Sequence, residues 1–249
     1  MKRINILLLS VIILLLNMLF TNNVNAQRIE QGLRVGVKLP YTYDISYYHK
    51  FSTRIRMYFG TQIVTAPFSG TVTNVMDMYG ANPNMTAILR ESMGFGIGLD
   101  HGWQYHFGKD RRRYYIGLSI QWMWLPKQDI EDQVVDVAFA NDGIGGCSTL
   151  EDCPINPMHH LYDAKKLTIN TNYVNISFAF GYTIFLRSKN QIRLEGAIAK
   201  TIASRHYLYS EYRYISPFTE RTNEGLQDIM LKYGWFPSIN VYYIYKLRL

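Results

Sequence analysis

The residues best suited to chemistry are the two cysteines, Cys147 and Cys153, which lie close together in the chain. They belong to a long segment between predicted strands, residues 126–166. An even, closely spaced pair of cysteines in an oxidising compartment predicts a disulfide bridge. A free thiol and a metal ligand are the alternatives, although the chain has no other cysteine that could complete a thiolate site. We therefore expect a bridge that stiffens this segment.

Candidate catalytic and metal-binding groups are few. His159, His160 and Asp163 offer imidazole and carboxylate ligands, but adjacent side chains diverge on an extended chain. His206 and Ser210 could act as base and nucleophile on a lipid ester, yet four residues along a strand separate them by roughly 13 Å. That distance is too long for the hydrogen bond that activates a nucleophile. The sequence therefore predicts no metal site, no cofactor and no enzymatic activity.

The secondary-structure elements that would position these residues follow an N-terminal leader. Residues 1–26 have the layout of a secretory signal peptide: a basic start, an apolar run over residues 4–20, and a polar stretch that ends at Ala26. A transmembrane anchor is the alternative, but a span needs roughly 20 apolar residues, and Asn17 interrupts this run. We predict export, cleavage near Ala26, and a mature domain over residues 27–249.

The composition indicates an ordered chain. It is 48% hydrophobic and 14% aromatic, with 20 tyrosines and 18% charged residues. Disordered chains have few aromatic residues and a high net charge. The formal net charge of +7 would suit a nucleic-acid-binding protein, but the basic residues alternate with apolar ones and form no patch. Nucleic acid is therefore not an expected partner.

Apolar and polar residues alternate with a period of two along about eight segments, which predicts β-strands. In residues 114–124, for example, Trp122 and Trp124 share an apolar face, while Ser119 and Gln121 share the opposite face. The clearest segments are residues 93–107, 114–124, 174–186 and 241–249, and the weaker ones are residues 33–39, 44–51, 54–63 and 192–199.

Three features favour a membrane barrel over a soluble sandwich, which alternates in the same way. The apolar faces carry aromatic residues near both strand ends, and the polar faces carry small residues and charges of both signs. Short turns (residues 50–53, 109–112 and 187–190) alternate with long segments (residues 66–90, 126–166 and 208–230). A closed ring leaves no backbone group unpaired in hydrocarbon. We predict an all-β fold, an eight-stranded antiparallel up-and-down transmembrane β-barrel with long extracellular loops.

The polar faces bring charged residues into or beside the barrel interior. Eight strands enclose only enough room for side chains. The expected interior charges are Arg34, Lys38, Arg54, Arg56, Asp100, Arg193, Glu195, Lys246 and Arg248. Buried charges are costly unless they are paired or hydrated. We expect a structural network of ion pairs and water that plugs the barrel, and the alternative is a polar conduit for a small solute.

The leader, the alternating strands, the basic tight turns and the final residues 241–249 resemble the small porin-like outer-membrane β-barrel family of the OmpA/OmpX type. The resemblance implies a location in the cell outer membrane, contact with outer-membrane lipids, and recognition of the last strand by the barrel-insertion machinery. Tyr243 and Tyr245 fit the pattern of that strand, whereas the chain ends in Leu249, where the family usually has an aromatic residue.

Members of this family serve as membrane anchors, adhesins, narrow pores, parts of secretion systems and occasionally lipid-modifying enzymes, so membership does not fix activity. We expect a structural or interaction protein that presents disulfide-braced surface loops. A protein of the cell envelope, as part of an envelope assembly or secretion system, is the candidate partner. The alternative function is a narrow, passive, porin-like channel for small solutes.

Overall fold

The computed structural model describes residues 30–65, 67–68, 70–108, 113–130, 167–186, 190–209 and 216–247. The predicted signal peptide and the predicted bridge between Cys147 and Cys153 lie outside these residues. The strands are β1 (Gln31–Leu39), β2 (Thr42–Lys50), β3 (Ile55–Val64), β4 (Gly96–Phe107), β5 (Tyr114–Asp129), β6 (Thr168–Phe185), β7 (Gln191–Tyr209) and β8 (Trp235–Lys246). The helices are α1 (Thr71–Met78), α2 (Pro83–Ser92) and α3 (Ser216–Tyr233).

The strands form one closed antiparallel ring in the order β1 to β8. Each strand pairs with its successor in the chain, and β1 also pairs with β8, so that Val35 lies opposite Ile45 on one side and Tyr243 on the other. The predicted eight-stranded antiparallel up-and-down barrel is confirmed. Closure matters because a closed ring leaves no strand edge with unpaired backbone groups.

The two ends of the barrel differ. At the short-turn end, three brief connections join β2 to β3, β4 to β5 and β6 to β7. At the opposite end, which we call the helical end, a two-residue turn joins β1 to β2, and longer connections that contain the helices join β3 to β4 and β7 to β8. None of the described helices is both long and apolar enough to cross a membrane.

The alternation of the sequence places apolar side chains outside the ring. Ile45, Leu118 and Phe178 have half of their surface exposed, at 51%, 55% and 53%. Aromatic residues occupy both ends of the outer face, because Tyr114 contacts Tyr182 near the short turns while Trp124 pairs with Ile97 toward the helical end. The outer surface is therefore an apolar belt bordered by aromatic side chains.

The long connections predicted over residues 66–90 and 208–230 contain helices, namely α1 and most of α2 and α3. The Asn82 side chain accepts a hydrogen bond from the Asn84 N–H at 2.9 Å, and Pro83 follows as the first helical residue. Both features are standard signals for the start of a helix. We call α1, α2 and α3 the helical cap.

The helical cap packs an apolar cluster into the helical end of the barrel. Its helices contribute the buried side chains Val72, Met76, Ile88, Leu89, Leu226 and Met230. The strands contribute inward-facing apolar residues, among them Met123, Ile169 and Phe236. Burial of such side chains stabilises the packing by about 1.5–3 kcal/mol each. The interior of the barrel is therefore apolar at this end.

Candidate functional site in the barrel lumen

The central lumen contains an ion cluster that β1, β2 and β4 position. Arg34 lies opposite Ser46 across the β1–β2 pair, and Asp44 is the next inward residue along β2. The Arg34 guanidinium donates to the Ser46 hydroxyl at 2.6 Å and to both Asp44 carboxylate oxygens at 3.1 and 3.2 Å. A single guanidinium nitrogen, Nη2, contacts both carboxylate oxygens, so this is a forked, charge-assisted hydrogen bond.

Lys38 and Asp100 complete this cluster. The Lys38 ammonium lies 2.6 Å from Asp100 and 3.6 Å from Asp44, and Arg34 lies 3.6 Å from Asp100. The side chains of Arg34, Asp44 and Asp100 are fully buried, and that of Lys38 is 7% exposed. Two cations thus share two carboxylates. Pairing of this kind offsets the cost of removing charges from water.

Tyrosine rings hold the Arg34 guanidinium from two sides. Its central carbon lies 3.6 Å from the centre of the Tyr58 ring and 4.2 Å from the centre of the Tyr242 ring. Stacking of a guanidinium on aromatic faces is favourable, especially away from water. The Tyr58 ring reaches this position because Gly102, its partner on β4, has no side chain to obstruct it.

Glu195 is held by neutral donors. The Tyr115 hydroxyl donates to one of its carboxylate oxygens at 3.1 Å, and the Asn240 amide donates to the other at 2.6 Å. Tyr115 crosses the lumen over Gly181, where an added side-chain carbon would overlap its ring. Glu195, on β7, is therefore held in place by one donor from β5 and one from β8.

A second layer of cations lies nearer the short turns. Arg56 on β3 and Arg193 on β7 are 5% and 0% exposed. Their guanidinium carbons lie 5.6 and 4.9 Å from the centre of one ring, that of Tyr48. Arg193 donates to the Gln104 side-chain oxygen at 2.6 Å, and Gln104 also lies directly opposite Arg56 in the β3–β4 register. Gln104 therefore accepts a hydrogen bond from Arg193 and lies opposite Arg56 in the sheet.

The remaining predicted interior charges lie elsewhere. Arg54 is a correction: its side chain is exposed and donates to the Tyr105 hydroxyl at 3.0 Å on the outside of the barrel. The reason is local, because β3 begins at Ile55 and Arg54 belongs to the preceding turn, where its N–H donates to Ser52. Lys246 is half-buried at the end of β8, and Arg248 lies outside the described residues.

A small cavity of mixed polar and apolar lining lies between the ion cluster and the helical cap. Its volume is about 40 Å³, and its lining includes Lys38, Gln62, Ser119, Asn175 and Glu195 on the polar side. Such a volume accommodates only a few water molecules. Its apolar side, toward the helices, is lined by Val72 and Phe236. Side chains therefore fill the lumen both at the ion cluster and beneath the helical cap.

Several functional contacts were absent from the list of interior charges drawn from the sequence. Asp44, Ser46, Tyr58, Tyr242 and Asn240 all contact that network through their side chains. The signal that could have found them is the alternation itself, because each of these residues occupies an inward position on its strand. Selecting charged residues alone excluded the four neutral residues, whereas Asp44 is charged and was omitted although it shares the inward face of β2 with Ser46.

The other chemical candidates give no site among the described residues. The Nδ1 atom of His206 lies 3.0 Å from the Thr171 hydroxyl, and Ser210 lies outside the described part of the chain. His159, His160 and Asp163 also lie outside it. Within the described ranges, no group of three or more histidine, cysteine, aspartate or glutamate residues is placed to hold a metal ion.

Comparison with known proteins finds a distant structural likeness. No family model matches the chain, and no curated protein matches it. A crystal structure of Acinetobacter baumannii CarO2 is similar over 89% of this chain and 100% of that chain, with 8% sequence identity and a TM-score of 0.37. A likeness this weak carries no functional conclusion. The class of molecule, a closed eight-stranded barrel with an ion-paired lumen and a helical cap, follows from its own coordinates.

Proposed function

We propose that the chain is an integral outer-membrane β-barrel protein of structural or interaction type, with a lumen closed to solutes. The apolar outer belt and the complete ring of strand pairs support insertion, because hydrocarbon tolerates only backbone groups that are paired internally. Its aromatic residues near both ends match the interfacial girdles of such barrels. Outer-membrane lipids and the barrel-insertion machinery are then its general partners.

The observation that carries the closed lumen is the ion cluster of Arg34, Lys38, Asp44 and Asp100. These side chains fill the centre of a narrow barrel and hold one another in place. The helical cap adds an apolar layer behind them. A solute that crossed the barrel would have to displace both the ion cluster and the apolar layer. This favours a structural role over that of a channel.

Planar-bilayer recordings of the purified protein test this proposal, with an open porin in the same bilayers as the positive control. We expect no steady unitary current from this protein. The alternative, a narrow passive channel, is supported by the cavity of about 40 Å³ beside Ser119 and Asn175. Reproducible unitary currents from the purified chain would establish that alternative.

Membrane insertion has its own tests. We expect the mature chain to need detergent for extraction and to change its gel mobility on heating, as a closed barrel does when it unfolds. A chain that dissolves without detergent contradicts insertion. Short turns face the periplasm in such barrels, so we expect proteases added to whole cells to cut near residue 145. Complete protection of that region contradicts this orientation.

The interaction role rests on connections at the helical end. Binding residues are common on loops that a rigid scaffold positions. We propose an envelope protein as the partner, with a disulfide between Cys147 and Cys153 bracing the surface segment. Capture of the intact complex in mild detergent tests the role: a defined co-purifying protein is expected, and a clean monomer contradicts it. Nucleic acid and enzymatic substrates have no place in this proposal.

A further inference from the structure

The second cation layer, Arg56 and Arg193, has a different chemistry from the central ion cluster. Arg56 is the second residue of β3 and Arg193 the third residue of β7, so both follow turns at the short-turn end. Both are more than nine-tenths buried. No carboxylate of the described residues lies within 4.0 Å of either guanidinium, whereas Arg34 and Lys38 each contact two carboxylates.

Donor nitrogens predominate among the unpartnered buried polar atoms near this layer, where the Thr183 hydroxyl, opposite Arg193 in the β6–β7 register, also has no partner among the described residues. Arg193 donates to the side-chain oxygens of Gln104 and Gln191 at 2.6 and 3.5 Å, which uses the acceptors of both amides. Five buried nitrogen atoms then have no partner within the described part of the chain: Nε and Nη1 of Arg56, Nε of Arg193, and Nε2 of Gln104 and Gln191. All five are donors.

Nearby groups do not neutralise the two charges. Glu195 is two residues from Arg193 but accepts from Tyr115 and Asn240 instead. The Tyr48 ring lies beneath both guanidinium groups, and an aromatic face attracts a cation without cancelling its charge. Two buried like charges destabilise each other. A ligand that accepts hydrogen bonds and carries negative charge would satisfy both the donors and the electrostatics.

The short-turn end also carries several basic residues. Lys50 lies opposite Arg56 in the β2–β3 register and is half-buried, as is Lys246 at the end of β8. Arg113 is exposed beside a turn at this end. Positive groups around a narrow opening with low-dielectric walls raise the local concentration of anions. Basic residues therefore lie at the end from which an anion would reach Arg56 and Arg193.

We propose that Arg56, Arg193, Gln104 and Gln191 form a binding site for a small inorganic oxyanion of the phosphate or sulfate class, which enters from the short-turn end. Guanidinium groups are planar forks whose paired N–H groups match two oxygens of such an ion. The amide nitrogens of the glutamines supply additional donors. The site requires neither a conducting lumen nor a protein partner, so it is independent of the function proposed above.

Calorimetric titration of the purified mature protein with inorganic phosphate tests the site. The protein is held in a neutral detergent without lipid, free of phosphate and sulfate, so that the free ion is the only source of the ligand. Ionic strength is kept constant with sodium chloride. We expect saturable binding of one phosphate per chain. Arg56→Gln and Arg193→Gln should each weaken binding at least about tenfold, because each removes a charge-assisted hydrogen bond.

Arg54→Gln is the matched control, because it removes a cation at the same end whose side chain lies outside the barrel. Its affinity for phosphate should match that of the wild type. Absence of saturable binding to the wild type overturns the proposal, as does an equal loss in Arg54→Gln, which would indicate general electrostatic attraction.

A second measurement on the unmodified protein does not depend on the variants folding. The thermal midpoint should rise with phosphate and remain unchanged with added chloride at equal ionic strength, because a ligand that binds only the folded state stabilises it. A midpoint that does not distinguish phosphate from chloride contradicts the site.

Discussion

The helical end of the barrel interior is filled by apolar side chains from three helices, whereas the centre is filled by charges that the strands hold in register. Leu89 and Met230 are fully buried in the first region, and Arg34 and Asp100 in the second. Apolar packing is non-directional and accommodates small changes by repacking. An ion cluster depends on every partner, since removing one leaves a buried charge uncompensated.

The largest expected effect is in the ion cluster. Arg34→Met removes the guanidinium that Asp44 and Asp100 share, and we expect a loss of about 3–5 kcal/mol in the free energy of unfolding. Urea unfolding followed by the heat-dependent gel shift measures it. Arg54→Met, on the exposed turn, is the control and should stay within about 0.5 kcal/mol of the wild type. Equal urea midpoints for Arg34→Met and Arg54→Met would contradict the greater sensitivity expected of the ion cluster.

The helical cap should respond locally. Leu89→Ala leaves a cavity in the apolar cluster and should cost about 3 kcal/mol of the stability of the cap. We expect faster amide hydrogen exchange in α2, with the heat-dependent gel shift of the barrel retained. Met78→Ala is the control, because Met78 is 85% exposed at the end of α1. Simultaneous loss of the cap and the barrel would show that the two regions unfold as one unit.

The lumen should also resist added volume. A side-chain carbon at Gly102 would overlap the Tyr58 ring and push it from Arg34, so we expect Gly102→Ala to cost about 1–3 kcal/mol. Gly117→Ala is the matched control on the neighbouring strand, since its nearest neighbour, the Trp103 carbonyl oxygen, would be 3.5 Å away. Unfolding midpoints in urea compare the two, and a neutral Gly102→Ala would contradict the tight stacking on Arg34.

The smallest effect is expected at Tyr41, in the β1–β2 turn beneath the helical cap. Its hydroxyl has no hydrogen-bond partner within the described residues, so Tyr41→Phe should change stability by less than about 1 kcal/mol near neutral pH. Burial, with a smaller contribution from Tyr79, raises the pKa of Tyr41 from 10.0 to about 12.

The contribution of Tyr41 to stability should be measurable at alkaline pH. Between pH 10 and about 12 the unfolded chain releases a proton from Tyr41 that the folded chain retains, so stability from this residue falls as pH rises. Tyr41→Phe should lose less stability over this range than the wild type does, as measured by urea midpoints at both ends of it. Identical pH profiles would place Tyr41 in contact with water.

The outward faces of the strands were predictable over most of their length, where they are apolar, and they turn polar toward the helical end, as at Asn170, Asn172 and Arg205. The inward faces change character: they are polar at Ser119 and Gln121 but apolar at Met123 and Leu125, beneath the cap. Alternation of apolar and polar residues disappears at that point, so the sequence-based segment ended at Trp124 although β5 continues to Asp129. The same change shortened the predicted β6, which begins at Thr168.

The candidate site was predictable only in part. Charged residues on inward positions identified Arg34, Lys38, Asp100, Arg56, Arg193 and Glu195. Their pairing depends on which strands are neighbours and on register, which place Asp44 beside Arg34 and leave Arg56 beside Gln104. The period of a single strand does not contain this information. The distinction between paired and unpaired arginines therefore required three-dimensional structure.

The pairing of β1 with β8 has a consequence for biogenesis. The register pairs Gly32 with Lys246 and Leu39 with Ile239. Because β1 is synthesised first and β8 last, the second edge of β1 stays unpaired until β8 is available. Until then the sheet is open, and its two edge strands have unpaired backbone groups. Release of the complete polypeptide therefore sets the earliest moment at which the ring can seal, and a chain truncated before β8 would leave β1 and β7 each with a bare edge.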